Sequence, residues 1–412
     1  TRIPSSAASD VYKRQGHKPD RCWTVMTAPS LFMMVGEASG DRLGAEVMKG
    51  LAARNAACDC WGVGGDAMQS LGFGSVMAMD DFTVLGVGEA IKAIPRLNRL
   101  ANTLIDRIME TRPDAILTID NKGFSMRFAR RLKKRMARAG WHAPILHLVA
   151  PTVWAWGGWR ARGVAKSVDH LMCLFPFEEP YFTRHGVEVT VVGHPSAERP
   201  RPGRDEARGT LGIDPDRPLL ALLPGSRSRE VATLLPDMLR AFSILKAELP
   251  SLQAVLPMAS NVASGVTAMV GRITGEGSGH DQGLHLRPQD DLDVVLAASD
   301  AGMICSGTVT LEAALAGLPG AVYYRPDWLA RKLGNIFVER SNVVLANAIM
   351  GEQIYPLYLN DEFSPHSMAD AALPLLTRPG TRITTLGDTL TVKGGFGRTS
   401  ADVIIRSTKG KS

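Results

Sequence analysis

Three segments of the chain stand at the ends of apolar runs where a doubly wound sheet binds ligands, and the first two combine residue types and spacings suited to holding phosphate. The first is LLPGSRSRE at 222–230. An apolar run, Leu219 to Leu223, reads as a buried strand that breaks at Pro224-Gly225. Ser226 stands where a helix N-cap is expected, and a long helical pattern begins at Arg227. Such a turn aims free backbone N–H groups at one spot, and the adjacent guanidinium offers a planar fork for phosphate oxygens. An ordinary strand–helix turn with a surface arginine is the competing reading. The second segment, SGTVTLE at 306–312, repeats the design, with Ser306, Gly307 and Thr308 capping a helix that carries Glu312. In a cleft, that carboxylate can accept both hydroxyls of a ribose; otherwise it simply favours the positive end of the helix dipole. The third, GEASGD at 36–41, follows the first apolar run. A turn capped by Ser39 explains Gly36 and Ser39, but it does not require Glu37 or Asp41, which flank Ser39 and Gly40.

Asp120 closes the apolar run 115–119. At that strand end a carboxylate either takes a proton from a hydroxyl nucleophile or caps the helix that begins near Ser125. PTVWAWGGW at 151–159 places three tryptophans, Trp154 among them, in a Pro/Gly-bounded stretch. They pack on a sheet or form an apolar wall for a sugar ring or acyl chain. Glu178, in the aromatic turn 174–181, is a cap or a ligand. His194 stands at a chain junction, where a lone histidine is usually structural. Asn347 reads as an exposed polar residue after an apolar run.

The elements that must position these residues alternate. Strand patterns at 31–35, 59–63, 115–119, 145–149 and 170–174 interleave with helical patterns, which predicts βα units and a parallel sheet. The pattern stops in the Pro/Gly-rich stretch 193–203 and restarts with strands at 219–223, 253–257, 284–287, 301–304 and 320–324. The expected fold is therefore α/β, with two Rossmann-like domains facing across a cleft. Residues 26–198 form the first and 204–376 the second. Residues 1–25 lack apolar periodicity and read as a leader foreign to the fold. The Gly/Thr-rich tail 377–412 is expected to pack back on the first domain or on a partner subunit.

With 45% hydrophobic and 21% charged residues, the 412-residue chain is globular and long enough for two cores. Its five cysteines include no CxxC pair, as expected of unpaired thiols in a reducing compartment. The net charge of +6 is concentrated at Arg127, Arg130, Arg131, Lys133, Lys134, Arg135 and Arg138, then Arg160, Arg162 and Lys166. A solvated helix face or an anionic membrane surface accounts for this run, and no nucleic-acid-binding motif accompanies it. No apolar stretch is long enough to span a bilayer. No Asp-x-Asp pair or His/Cys cluster suggests a metal.

Taken together, GEASGD (36–41), PTVWAW (151–156), LFPFE (174–178), VGHP (192–195), LLPGSR with EV (222–231), SGTVTLE (306–312) and Leu345-Ala346-Asn347 resemble the lipid-A-disaccharide synthases. The resemblance implies a GT-B type, inverting glycosyltransferase. It would join UDP-2,3-diacylglucosamine to 2,3-diacylglucosamine 1-phosphate, giving the β-1,6 disaccharide 1-phosphate and UDP. It further implies Asp120 as catalytic base, Arg227 as an essential cation, and Ser306, Gly307, Thr308, Glu312 and Asn347 around the donor nucleotide. Gly225 and Ser226 belong to the same phosphate turn. No metal or other cofactor is expected, since the UDP-sugar is itself a substrate. A cytoplasmic enzyme peripherally bound to the inner membrane, without a nucleic-acid partner, follows from the same resemblance, as does a homodimer exchanging C-terminal regions. Two departures stand out. After Asp120 the family commonly continues Ala/Ser-Pro-Asp-Phe, whereas this chain has Asn121-Lys122-Gly123-Phe124, and its tail matches poorly. A UDP-N-acetylglucosamine 2-epimerase on the same fold and a non-catalytic nucleotide-sugar or lipid-binding module are the alternatives.

Overall fold

The computed structural model describes residues 28–56, 58–82, 87–154, 158–274, 283–325, 343–378, 383 and 386–409. The leader 1–25 and Trp156 lie outside these. Two parallel sheets organise the chain. The first contains β1 (Ser30–Met34), β2 (Asp59–Val63), β3 (Gly74–Ser75), β4 (Ala115–Ile119), β5 (Ile145–Leu148), β6 (His170–Cys173) and β7 (Glu188–Val191), in the order β3-β2-β1-β4-β5-β6-β7. The second contains β8 (Leu219–Leu223), β9 (Gln253–Met258), β10 (Leu284–Pro288), β11 (Ala301–Cys305), β12 (Gly320–Tyr324) and β13 (Leu357–Leu359), in the order β10-β9-β8-β11-β12-β13. β4, β8 and β11 are buried throughout because helices cover both faces, and Thr118 of β4 is the one polar residue among them. Leu31 and Met33 face one layer of core while Phe32 and Met34 face the other.

The strand order reverses between β1 and β4 in one sheet and between β8 and β11 in the other. Crevices open at the carboxyl ends of such pairs. The four loops at these ends begin at Val35, Asp120, Pro224 and Ser306. Each is a segment singled out above for its chemistry.

The strands that the apolar pattern does not predict, β3, β7 and β13, are all sheet edges. An edge strand is only half covered, so it carries no continuous apolar signature. β7 reads Glu-Val-Thr-Val and is at best half-buried.

The second domain is pinned by one buried ion pair. Arg208, on the Arg204–Leu211 helix, is fully buried and donates to Asp300 Oδ2 at 2.7 Å. It also donates to the carbonyls of Ala298, Asp214, Pro215 and Arg217. Asp300 additionally accepts the Leu219 N–H and the Arg204 guanidinium, so both partners are heavily bonded.

The C-terminal Gly395–Lys409 helix packs along the Ala38–Ala53 helix. Contact is close enough that a Cβ at Gly50 would lie 2.0 Å from the Gly397 carbonyl oxygen. Arg54 and Asp402 bridge the pair at 2.7 Å. Among the described residues no helix is long and apolar enough to cross a membrane.

Candidate active site

A cavity of about 950 Å³ lies between the two domains. Leu223 to Arg227, Ser306 to Val309 and Glu312 line it from the second domain, and Ser39, Arg42, Leu43, Ala67 and Leu71 from the first. His194, Ser196 and Arg199 of the connecting segment line it too. Of the residues singled out in the sequence, the cavity thus gathers Ser39, His194, Gly225, Ser226, Arg227, Ser306, Gly307, Thr308 and Glu312.

The Pro224–Arg227 turn is shaped by glycine. Gly225 has φ +104°, and a Cβ there would meet Glu230 Oε2 at 2.4 Å. The expected cap at Ser226 is corrected: Arg227 occupies the N-cap position and the helix is Ser228–Glu248. Glu230 folds back so that Oε2 accepts the Arg227 N–H at 3.4 Å while Oε1 pairs with its guanidinium at 2.9 Å. The Arg227 side chain remains 83% exposed, a cation free to turn towards a ligand.

At the other strand end the cap is Thr308 alone, and the helix Val309–Leu315 follows. The Ser306 hydroxyl donates to the Val343 carbonyl at 2.9 Å instead of capping. Glu312 faces the connecting segment. Its Oε1 accepts from Ser196 Oγ at 2.7 Å, both oxygens accept from Arg199 at 3.1 Å, and Arg201 donates to Oε2 at 3.3 Å. Arg199 also reaches Asp293 at 3.0 Å. These arginines gave no signal in the sequence, because the partners are separated by 111 to 113 positions and Arg199 and Arg201 sit in what reads as a plain linker.

His194 N-caps the short Pro195–Glu198 helix, its Nδ1 accepting the Ser196 N–H at 3.2 Å. That bond requires the neutral ring with its proton on Nε2. Burial, with Arg199 and Arg201 nearby, pushes its pKa down to about 4. An aromatic ladder supports the ring. His194 stacks on Phe175, Phe175 on Phe177, and Phe177 meets Trp154 edge-on. Glu178 locks the ladder, accepting from Trp154 Nε1 at 3.2 Å and from the Phe175 N–H at 3.3 Å. Trp154 and Glu178 therefore act on the cavity through His194 and do not line it themselves.

Other expected site residues hold structure. Asp41 is buried, and its carboxylate accepts the N–H groups of Gly65, Ala67 and Met68. Ser39 is inside the helix, not its cap; the N-cap position is Glu37, which is exposed. Gly40 is buried against Val35 and Ile119. Asn347, expected to be exposed, is buried, and its amide clamps the N–H and carbonyl of Tyr355.

Asp120 closes β4 at the switch point but does not line the cavity. The helix expected near Ser125 starts at Lys122, and its N-cap is Asn121, so Asp120 is not the cap. Asp120 and Asn121 have φ of +50° and +43°, and Val149, closing the neighbouring strand, has φ +76°. Left-handed backbone at non-glycine residues costs on the order of 1–3 kcal/mol each and gathers at functional sites. The Asn121 side chain fills the space beside Gly36, joining the two loops. Asparagine is the non-glycine residue that best tolerates this backbone, which accounts for its place here.

The two parallel sheets, with their strand-end turns facing one cavity, define a fold of the GT-B type. Solved structures agree on the fold. The glycotransferase of kitacinnamycin superposes with a TM-score of 0.58 at 16% identity, covering 92% of this chain and 99% of that one. The UDP-GlcNAc 2-epimerase of Methanocaldococcus jannaschii gives 0.56 at 11% identity, over 92% and 100%. Sequence comparison is more specific. The lipid-A-disaccharide synthetase family model matches residues 31–392. The lipid-A-disaccharide synthase of Rhodospirillum centenum is 37% identical over 355 residues, 85% of this chain and 86% of that protein. The chain belongs to the lipid-A-disaccharide synthetase family.

Proposed function

We propose that the interdomain cavity transfers 2,3-diacylglucosamine from its UDP donor to the 6-hydroxyl of 2,3-diacylglucosamine 1-phosphate, forming the lipid A disaccharide and releasing UDP. The observation that carries this reading is the pair of strand-end turns, Gly225–Arg227 and Ser306–Thr308, on one wall of a cavity whose other wall is the first domain. In this reading Arg227 takes the departing diphosphate and Glu312 the ribose. Asp120, at the strained end of β4, accepts the proton of the attacking hydroxyl as the acceptor is drawn over the Gly36 loop. Likeness to the epimerases is confined to the fold, so the epimerase reading is not favoured.

In this account Arg227 and the N-terminus of the helix that follows it stabilise the leaving group without a metal. Among the described residues no three His, Cys, Asp or Glu side chains converge. Purified protein supplied with both acylated substrates should release UDP and disaccharide together, with and without EDTA. Release of UDP without disaccharide overturns the transfer. Loss of activity in EDTA with recovery on adding magnesium overturns the metal-free account.

Peripheral binding to the cytoplasmic face of the inner membrane belongs to the same proposal, because both substrates are lipids. The basic helix Lys122–Arg138 supports it only in part. Arg130, Arg131, Lys133 and Arg135 bond to Ser167, Asn98, Asp169 and Asp106 respectively. Trp159, 82% exposed and followed by Arg160 and Arg162, is the better anchor. Trp159→Ser should weaken co-sedimentation with anionic vesicles even at high salt; unchanged binding would move the contact elsewhere. Dimerisation remains part of the proposal for this family member, with sedimentation velocity as its test.

A further inference from the structure

Five basic side chains line the interdomain cavity: Arg42, Lys49, His194, Arg199 and Arg227. Four have partners. Lys49 pairs with Glu46, Arg199 with Glu312 and Asp293, Arg227 with Glu230, and His194 accepts from Ser196. Arg42 is exposed and has no ion pair or hydrogen bond among the described residues. Its position is nonetheless fixed. Ser39, Arg42, Leu43 and Glu46 follow the spacing of one helix face, and all four line the cavity. The preceding residue, Asp41, ties this helix to the segment that begins at Gly65. That tie brings Leu71 onto the same wall, where it is 42% exposed, one of the few large apolar side chains so placed. The first-domain wall therefore sets an unpaired guanidinium beside the apolar surface of Leu43, Ala67 and Leu71. The opposite wall carries the phosphate turns.

A cation bordered by apolar surface fits an amphiphile whose anionic group and hydrocarbon lie close together. We infer that Arg42 binds the phosphate of the acyl-sugar acceptor, with Leu43 and Leu71 beside its acyl chain, so that acceptor and donor occupy opposite walls. This rests on the proposed transfer reaction. A guanidinium suits the role because its fork meets two phosphate oxygens at once.

Steady-state kinetics with the acceptor and with its dephosphorylated form test it. Wild type should prefer the phosphorylated acceptor. Arg42→Gln should raise the KM for that acceptor by roughly ten- to a hundredfold, the worth of a charge-assisted hydrogen bond. The variant should treat the two acceptors alike, with donor KM and thermal midpoint unchanged, and Arg42→Lys should recover part of the preference. An active wild type whose Arg42→Gln variant keeps the full preference overturns the assignment. So does a variant whose donor KM rises instead, which would put Arg42 on the nucleotide diphosphate. A wild type that makes no disaccharide overturns the transfer reaction itself and the acceptor assignment with it.

Discussion

Asp120 and Arg227 occupy contrasting settings, and their substitutions should fail in different ways. Asp120→Asn keeps the size of the side chain and the left-handed backbone, which asparagine tolerates. As an amide it cannot accept a proton. Disaccharide formation should fall roughly 10²–10⁴-fold while UDP affinity and thermal midpoint hold. A stable variant with near-normal turnover would remove Asp120 from the chemistry. Arg227 is 83% exposed and bonds only to Glu230 among the described residues, so Arg227→Ala should leave stability almost unchanged. Losing the contact proposed for it with the diphosphate should cost about 1.5–3 kcal/mol in the transition state, a drop in kcat/KM of roughly ten- to more than a hundredfold. Normal turnover of the folded variant would exclude it. His194 gives a pH prediction. Its folded pKa of about 4 lies below the ordinary value of 6.5, so the unfolded chain takes up the proton first. Its contribution to stability is complete above pH 6.5 and is lost as pH falls towards 4. His194→Asn, which keeps a cap for the Pro195–Glu198 helix, should flatten the decline of thermal midpoint across that window. Identical slopes in variant and wild type would mean the ring titrates normally.

Among the elements, the Arg204–Leu211 helix depends on a single side chain. Removing Arg208 strands a nearly buried Asp300 and leaves four carbonyls without their shared donor. Breaking one side of a buried pair typically costs about 3–5 kcal/mol. Arg204 still reaches Asp300 at 3.1 Å, so the lower end is expected for Arg208→Ala in denaturant unfolding. A loss under about 1 kcal/mol would show that the helix is held by its apolar face instead. Nothing in the sequence marks Arg208, because its partners are carbonyls and an aspartate 92 positions away. The contrast with β4, β8 and β11 is instructive. Their burial on both faces favours near-continuous apolar runs, broken only by Thr118 in β4, so both sheets and the four strand-end loops could be read directly. β3, β7 and β13 escaped because an edge makes no such demand. The site was legible to the same depth. Strand-end turns such as Gly225–Arg227 are local chemistry written in adjacent residues. Asn347 and Asp41 looked equally polar and loop-like, but their partners, Tyr355 and the Gly65–Met68 turn, are supplied by the folded chain.

At the scale of the whole molecule, Glu312 ties the second domain to the connecting segment. All the acceptor capacity of its carboxylate is engaged by Ser196, Arg199 and Arg201 of the connecting segment. The role proposed for Glu312 requires that same capacity for the ribose hydroxyls. Nucleotide binding must then displace at least one partner. Arg199 is the candidate, since its side chain is 49% exposed and already bonds Asp293 at 3.0 Å, whereas Arg201 is 14% exposed and reaches Asp293 only at 3.9 Å. The displaced contact is a partly solvated ion pair, worth about 0.5–1 kcal/mol. Arg199→Gln should therefore tighten UDP binding about two- to fivefold in calorimetry, with a small loss of thermal midpoint as the domains loosen. Arg201→Gln should lower the midpoint further and gain less affinity, because the more enclosed contact braces the connecting segment. If Arg199→Gln binds UDP more weakly than wild type, the guanidinium helps to hold the nucleotide, and the competition for Glu312 does not exist.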